Sequence, residues 1–233
     1  MGQPILFYDY ETTGVDPRKD RPIQIGVCDT EGRIYLNTYC NPCMPIAEEA
    51  TKVHGISSAD LVGFPDYLCA IFSQLQIFKG FESPIVAGFN TSVYDDVMLE
   101  SCYGEGSLSS YRKLDVLDVV YRYYPTLEKK KLVDLHQHFL GQELTGAHGA
   151  IQDCIGTANV LKAVCMERGS APSELAKELE TPQVYPILPI GKHRGRHVED
   201  VPYSWANWML SNATNMRQDL EATVRWISEN NRR

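Results

Sequence analysis

The sequence predicts an α/β protein, a mixed sheet flanked by helices with a small C-terminal α+β appendix. Three β-rich runs come first, at residues 4–9, 23–29 and 33–39. A short apolar run at 85–87 then alternates with segments of helical spacing, which is the pattern of a sheet with helices laid on it. Composition changes after Gly169, where a proline-rich charged stretch leads into a final unit.

Residues 4–9 (PILFYD) read as a short buried strand. The runs at 23–29 and 33–39 are separated by the turn signal Glu31-Gly32, so the first three strands form a meander. Residues 46–53 and 66–79 carry helical spacing, the latter through Leu68, Ile71, Phe72 and Leu75. Ser83-Pro84 breaks into Ile85-Val86-Ala87. Helices are expected over Val93 to Tyr103, Leu114 to Tyr123, Lys131 to Leu140 and about Gly149 to Arg168. The division is therefore a main domain over 1–168, a linker over 169–186 and a small module over 187–233. That module is expected to hold a short strand, a basic glycine turn and two helices with Trp205, Trp208 and Trp226.

A chain of 233 residues, 43% hydrophobic and 22% charged, buries enough apolar surface to fold without disulfides, which excludes a disordered chain. Seven scattered cysteines fit a reducing cytoplasm better than a secreted framework. Cys40-Asn-Pro-Cys43 lacks the second ligand pair that a zinc site needs. The N-terminus has neither a signal-peptide pattern nor a myristoylation match, and no apolar run reaches the length of a membrane span. The net charge of −8 argues against a nucleic-acid partner, unless carboxylates that collect cations account for it and basic clusters elsewhere hold phosphates.

Asp9 and Glu11 lie two apart at the end of the first strand, so both side chains share a face. Two carboxylates so placed repel unless a cation lies between them. Gly88-Phe89-Asn90 closes the fourth strand, and Asp95 follows at a helix start. His148 lies in a Gly/Ala-rich loop, with Asp153 about one helical turn beyond. Four acids and a histidine thus fall at strand ends and helix starts, where α/β sites gather. Two hard cations in such a cluster can clamp the attacking and leaving oxygens of an in-line displacement at phosphorus, and a histidine can take the water's proton.

The order Asp9-x-Glu11, Asp95, His148-x4-Asp153 resembles the DnaQ-like, or DEDDh, 3′-to-5′ exonucleases over about residues 4–167. The resemblance implies a ribonuclease-H-like fold, two magnesium ions (manganese substituting) on Asp9, Glu11, Asp95 and Asp153, and His148 as general base. The runs Tyr8 to Thr12, Asp20 to Gln24 and Gly88 to Asp96 are similar to bacterial exonuclease I, where one extra residue separates the asparagine from the catalytic aspartate. That spacing selects Asp95 over Asp96. Ala50 to Ile56 looks more like proofreading subunits and exonuclease X, and overall length and Gly191-Lys192-His193-Arg194-Gly195-Arg196 also resemble exonuclease X. The implied substrate is DNA with a free 3′ end; RNA trimming and non-catalytic end binding are the alternatives.

By the same resemblance Thr12 and Thr13 border the terminal nucleotide, unless they form an ordinary turn. Phe89 and Asn90 are candidates to touch its base or sugar, Asn90 being equally suited to capping a helix. Lys130, within Lys129-Lys130-Lys131, and Lys192, Arg194 and Arg196 are candidate phosphate contacts, against the plainer reading of exposed charge. His54 reads as a packed loop histidine, Asp115 and Asp118 as cap or helix-dipole acids, and Trp205 and Trp208 as packing against the main domain.

Overall fold

The apolar run after Pro4 forms strand β1, Ile5–Thr12, the centre of a five-stranded sheet. It pairs antiparallel with β2, Pro22–Asp29, which pairs antiparallel with β3, Ile34–Tyr39. Gly32, with φ of 77°, turns the chain between β2 and β3. On its other side β1 runs parallel to β4, Ile85–Gly88, and β4 to β5, Arg112–Asp115, giving the order β3-β2-β1-β4-β5. The computed structural model describes residues 3–146 and 149–231.

Between these strands lie α1, Glu48–His54; α2, Tyr67–Lys79; and α3, Asp95–Tyr103; after β5 come α4, Val116–Tyr123; α5, Leu132–Leu140; and α6, Ala150–Arg168. The sheet is buried on both faces. Leu6, Tyr8 and Tyr10 of β1 pack with Ile71, Phe78, Met98 and Leu99 of α2 and α3. Ile5 and Phe7 point the other way, into Val119, Leu135, Ile151 and Leu161 of α4, α5 and α6. Strand alternation therefore assigns the odd positions of β1 to the α6 face.

Strand β5 was not expected. Of Arg112-Lys113-Leu114-Asp115 only Leu114 is apolar, so the segment has no strand signature of its own and is held by pairing with β4. Within 169–186, read as a linker, α7, Pro172–Leu179, buries Leu175 and Ala176 in the same core as α6.

The C-terminal unit carries the two expected helices, α8, Tyr203–Asn212, and α9, Gln218–Asn230. Its expected strand reduces to an isolated bridge between Ile187 and His197. Trp205 and the partly buried Trp226 pack in this unit's own core with Leu188, Val224 and Ile227, the main domain contributing Tyr121. Trp208 is 59% exposed, so the expectation that it packs fails: an i, i+3 spacing does not say how wide the buried stripe is. Among the described residues, no helix is long and apolar enough to cross a membrane.

Candidate active site

Asp9 and Glu11 continue the row begun by Ile5 and Phe7, on the face that α6 covers. Asp9 pairs across the ladder with Gly26, and there the helix meets the sheet. A Cβ added at Gly26 would lie 2.7 Å from the Ala150 carbonyl carbon and 2.8 Å from the Ile151 nitrogen. Only glycine lets the first turn of α6 rest on the strand backbone. The Cys154 thiol donates to the Gly26 carbonyl at 3.5 Å, a further contact between helix and strand. Asp153 is thereby set over the end of β1, and ligand oxygens of Asp9, Glu11 and Asp153 all lie within 4.8 Å of one another.

Asp95 arrives from the other side of β1. The chain leaves β4 through Gly88, whose absent side chain makes room for the Tyr8 carbonyl and the Thr91 methyl, and through Asn90 in a left-handed conformation with φ of 67°. At the start of α3, Asp95 accepts a hydrogen bond from the Tyr10 amide at 3.2 Å. Asp96 is committed elsewhere, accepting from the Tyr8 hydroxyl and pairing with Lys113 at 3.1 Å. The geometry thus favours Asp95 over its neighbour as the acid beside Asp9.

Burial, then the charges of Asp95, Asp153 and Glu11, raise the Asp9 carboxyl well above its usual range. Burial and Asp153 push Glu11 up to about 7. Burial and then Asp96 raise Asp95. Positive charge among these oxygens would favour their ionised forms and lower such raised values. The donors are carboxylates, and the adjacent Cys154 thiol is turned to a backbone carbonyl, so the set suits a hard divalent cation such as magnesium or manganese. His148, the expected base, lies outside the described residues.

The other expected contacts fare differently. The Thr12 hydroxyl donates to the Gly14 carbonyl at 2.8 Å and meets the Tyr94 hydroxyl at 2.9 Å, at the mouth of the β1–β2 loop. Thr13 is 1% exposed; its hydroxyl donates to Asp20 at 2.8 Å and accepts from the Arg21 amide at 3.1 Å. Its side chain holds the loop closed. Phe89 is partly buried against the α6-side core. Asn90 does not cap a helix with its side chain: its amide donates to Asp115 at 2.9 Å, and its side-chain oxygen accepts from Arg217. Lys130 is drawn to the carbonyls of Pro125 and Leu127, and Arg194 to those of Leu127 and Glu128. Lys192 and Arg196 are exposed and make no ion pair among the described residues.

The plainer readings of several residues hold. His54 Nδ1 accepts from the Ile56 amide at 3.0 Å, so Nε2 carries the proton and donates to the Thr12 carbonyl at 3.2 Å. Asp115 caps α4 through the Leu117 amide at 2.9 Å. Cys40 is buried and Cys43 exposed, with its thiol on Asp66 at 3.1 Å.

Arg217 was missed. From the loop before α9 its guanidinium reaches Asp115 at 3.0 Å, Asp118 and Asn90, while the Arg18 guanidinium donates to Asn215 at 3.0 Å. The α8–α9 loop thus touches both loops that border the acids. A second buried pair crosses the same boundary in the opposite sense: Arg122 of α4 holds Asp219 of α9 through two bonds of 2.7 and 2.6 Å. No pattern announces a lone arginine in a polar turn.

Solved structures of exonuclease I share this fold. The zinc-bound E. coli exonuclease I complex with single-stranded DNA superposes with a TM-score of 0.64 at 22% identity, covering 79% of this chain and 44% of that one. Another exonuclease I structure gives 0.65 at 17% identity, covering 93% and 61%. Among curated proteins, the uncharacterized exonuclease CP81 of Escherichia phage 186 is 30% identical over 170 residues, 68% of this chain and 87% of its own length. A PolC-type DNA polymerase III from Clostridium perfringens is 25% identical over 160 residues, of which this chain spans only 11%. The family model RNase_T, described as an exonuclease, matches residues 6–161, the span that holds most of β1, the first part of α6 and all four acids, and the chain belongs to that ribonuclease-H-like, DnaQ-like exonuclease family.

Proposed function

We propose that this nuclease is a 3′-to-5′ exodeoxyribonuclease that releases 5′-mononucleotides from a free DNA end. The observation that carries the reading is the convergence of Asp9, Glu11 and Asp153 within 4.8 Å, with Asp95 on the Tyr10 amide beside them. These carboxylates would hold two divalent cations, magnesium or manganese, which would supply the Lewis acidity that phosphodiester hydrolysis needs. His148, five residues before Asp153, accepts the proton of the attacking water, as the DEDDh pattern implies. Thr12 and the Phe89-Asn90 turn border the terminal nucleotide and orient its sugar. DNA is favoured because the superposed exonuclease I chains are described with bound single-stranded DNA. An end-binding role without catalysis would not require the full acid set.

The experiment is a gel assay in magnesium with single-stranded DNA, duplex DNA and RNA labelled at the 5′ end. The expected result is a ladder shortening from the 3′ end of DNA, abolished by chelation and by Asp9→Ala. His148→Ala should slow turnover about 10²–10⁴-fold while metal still binds. Full activity in Asp9→Ala refutes the assignment, a ladder on RNA alone transfers it to RNA, and mononucleotides from the 5′ end reverse the polarity.

A further inference from the structure

Three clefts meet at Ile190, on the surface of the C-terminal unit. One leads to Val93, Asn215 and Arg217, beside the loop between β4 and α3 that precedes Asp95. A second passes Lys130, Lys131 and Arg194. The third, of about 550 Å³, lies on the outer face of α8 between Lys192, Trp208 and Met209. The second and third also share Gly191, so the surface is continuous from the loop that precedes Asp95 to α8.

The chemistry along this surface is uneven in a telling way. The chain carries a net charge of −8, yet the first and third clefts are lined by no acid and the second by Glu128 alone. Lys131, Lys192 and Arg196 are exposed and make no ion pair among the described residues. Burial, and after it the nearby Arg194, hold the Lys130 ammonium down at about 8. In the third cleft, beside Lys192, Trp208 leaves 59% of its surface in water, whereas Trp205, one turn earlier, is 7% exposed and set edge-on to His193. An open indole face beside lysines and arginines is how proteins hold unpaired bases and their phosphates without reading sequence. A duplex keeps its bases stacked inside and offers nothing to such a face.

We propose that Trp208 stacks on an unpaired base of single-stranded DNA, 5′-ward of the nucleotide in the acidic site, with Lys192 and its neighbours on the intervening phosphates. The proposal rests on the exonuclease reading for the identity of the strand, and its test has a binding arm that does not need catalysis. The full chain, in calcium to suppress hydrolysis, is titrated with fluorescent oligothymidylates from a dinucleotide up to about 20 nucleotides. Wild type should bind the long strand far more tightly than the dinucleotide. Trp208→Ala should lower affinity for the long strand about tenfold and Trp208→Phe less, both keeping the thermal midpoint of wild type. Lys192→Gln should reduce the salt dependence of long-strand binding by about one phosphate contact. In the catalytic arm, in magnesium, Trp208→Ala should raise the ratio of KM for the long strand to that for the dinucleotide about tenfold, with kcat for the long strand unchanged.

Equal affinities of wild type and Trp208→Ala for the long strand overturn the proposal. So does an equal loss on dinucleotide and long strand, which would mean a disturbed site. Self-association that Trp208→Ala abolishes, without length-dependent DNA binding, would give the face to a second copy instead. If wild type hydrolyses no oligonucleotide, the function reading fails, and the calcium titration still decides whether Trp208 binds a strand.

Discussion

Replacing Gly26 by alanine tests how the site is assembled without touching a catalytic group. The added Cβ would lie 2.7 and 2.8 Å from backbone atoms of Ala150 and Ile151, with no flexible side chain to swing away. Restoring an ordinary carbon contact of about 3.5 Å requires α6 to recede by roughly 0.8 Å. Asp153 rides on that turn, so its carboxylate leaves Asp9 and Glu11 by a similar distance. A displacement of that size around a reacting centre costs on the order of 10²-fold in rate. Overpacking of this kind also costs about 1–3 kcal/mol of stability. The assay is steady-state cleavage of a labelled single strand over a magnesium series, alongside thermal unfolding. We expect a large fall in kcat, a rightward shift in the magnesium curve and a lower midpoint. Wild-type kcat and magnesium dependence in Gly26→Ala would refute the claim that this glycine sets the position of Asp153.

Three other outcomes follow from the same geometry. Asp95→Asn should lower activity by at least about a hundredfold, whereas Asp96→Asn, which breaks the Tyr8 and Lys113 contacts, should act mainly on the unfolding midpoint; the reverse pattern would reassign the acid. Glu11 is raised from 4.5 to about 7, so without metal its contribution to stability is full below pH 4.5 and is lost as pH rises through about 7. This amounts to on the order of 3 kcal/mol, and magnesium should raise the midpoint far more at pH 8 than at pH 5; a midpoint in chelator that climbs between those values would contradict it. Arg122→Met leaves buried Asp219 without its guanidinium and should cost about 3–5 kcal/mol in urea unfolding followed by tryptophan fluorescence, largely recovered in Arg122→Met with Asp219→Leu; a loss under about 1 kcal/mol in the single variant would show the pair to be dispensable.

What was legible in the sequence was whatever depends on short-range periodicity. The acids at positions 9 and 11 share a face because β1 alternates, and Asp153 falls one turn into a helix whose start follows a Gly/Ala-rich loop. Contacts made over long separations were not legible. Strand β5 exists because β4 offers it a ladder, and Arg112-Lys113-Leu114-Asp115 says nothing of that. Arg217 reaches Asp115 across 102 positions, and nothing near either residue announces the pair. Trp205 and Trp208 have the same spacing signal, and only the packing of α9 against α8 separates the buried ring from the open one.

The crossed arginines give the C-terminal unit a role in charge balance. The compositional break at 168 invites a cut there, to obtain a minimal nuclease. Such a fragment would keep Asp115 and Asp118 while losing Arg217, and keep Arg122 while losing Asp219. Asp115 is also among the charges that raise Asp95, so the missing guanidinium would be felt inside the acidic cluster as added negative potential. The two parts are in this sense each other's counter-ions, and they would not exchange as cassettes with those of a relative unless both arginine–carboxylate sets moved together.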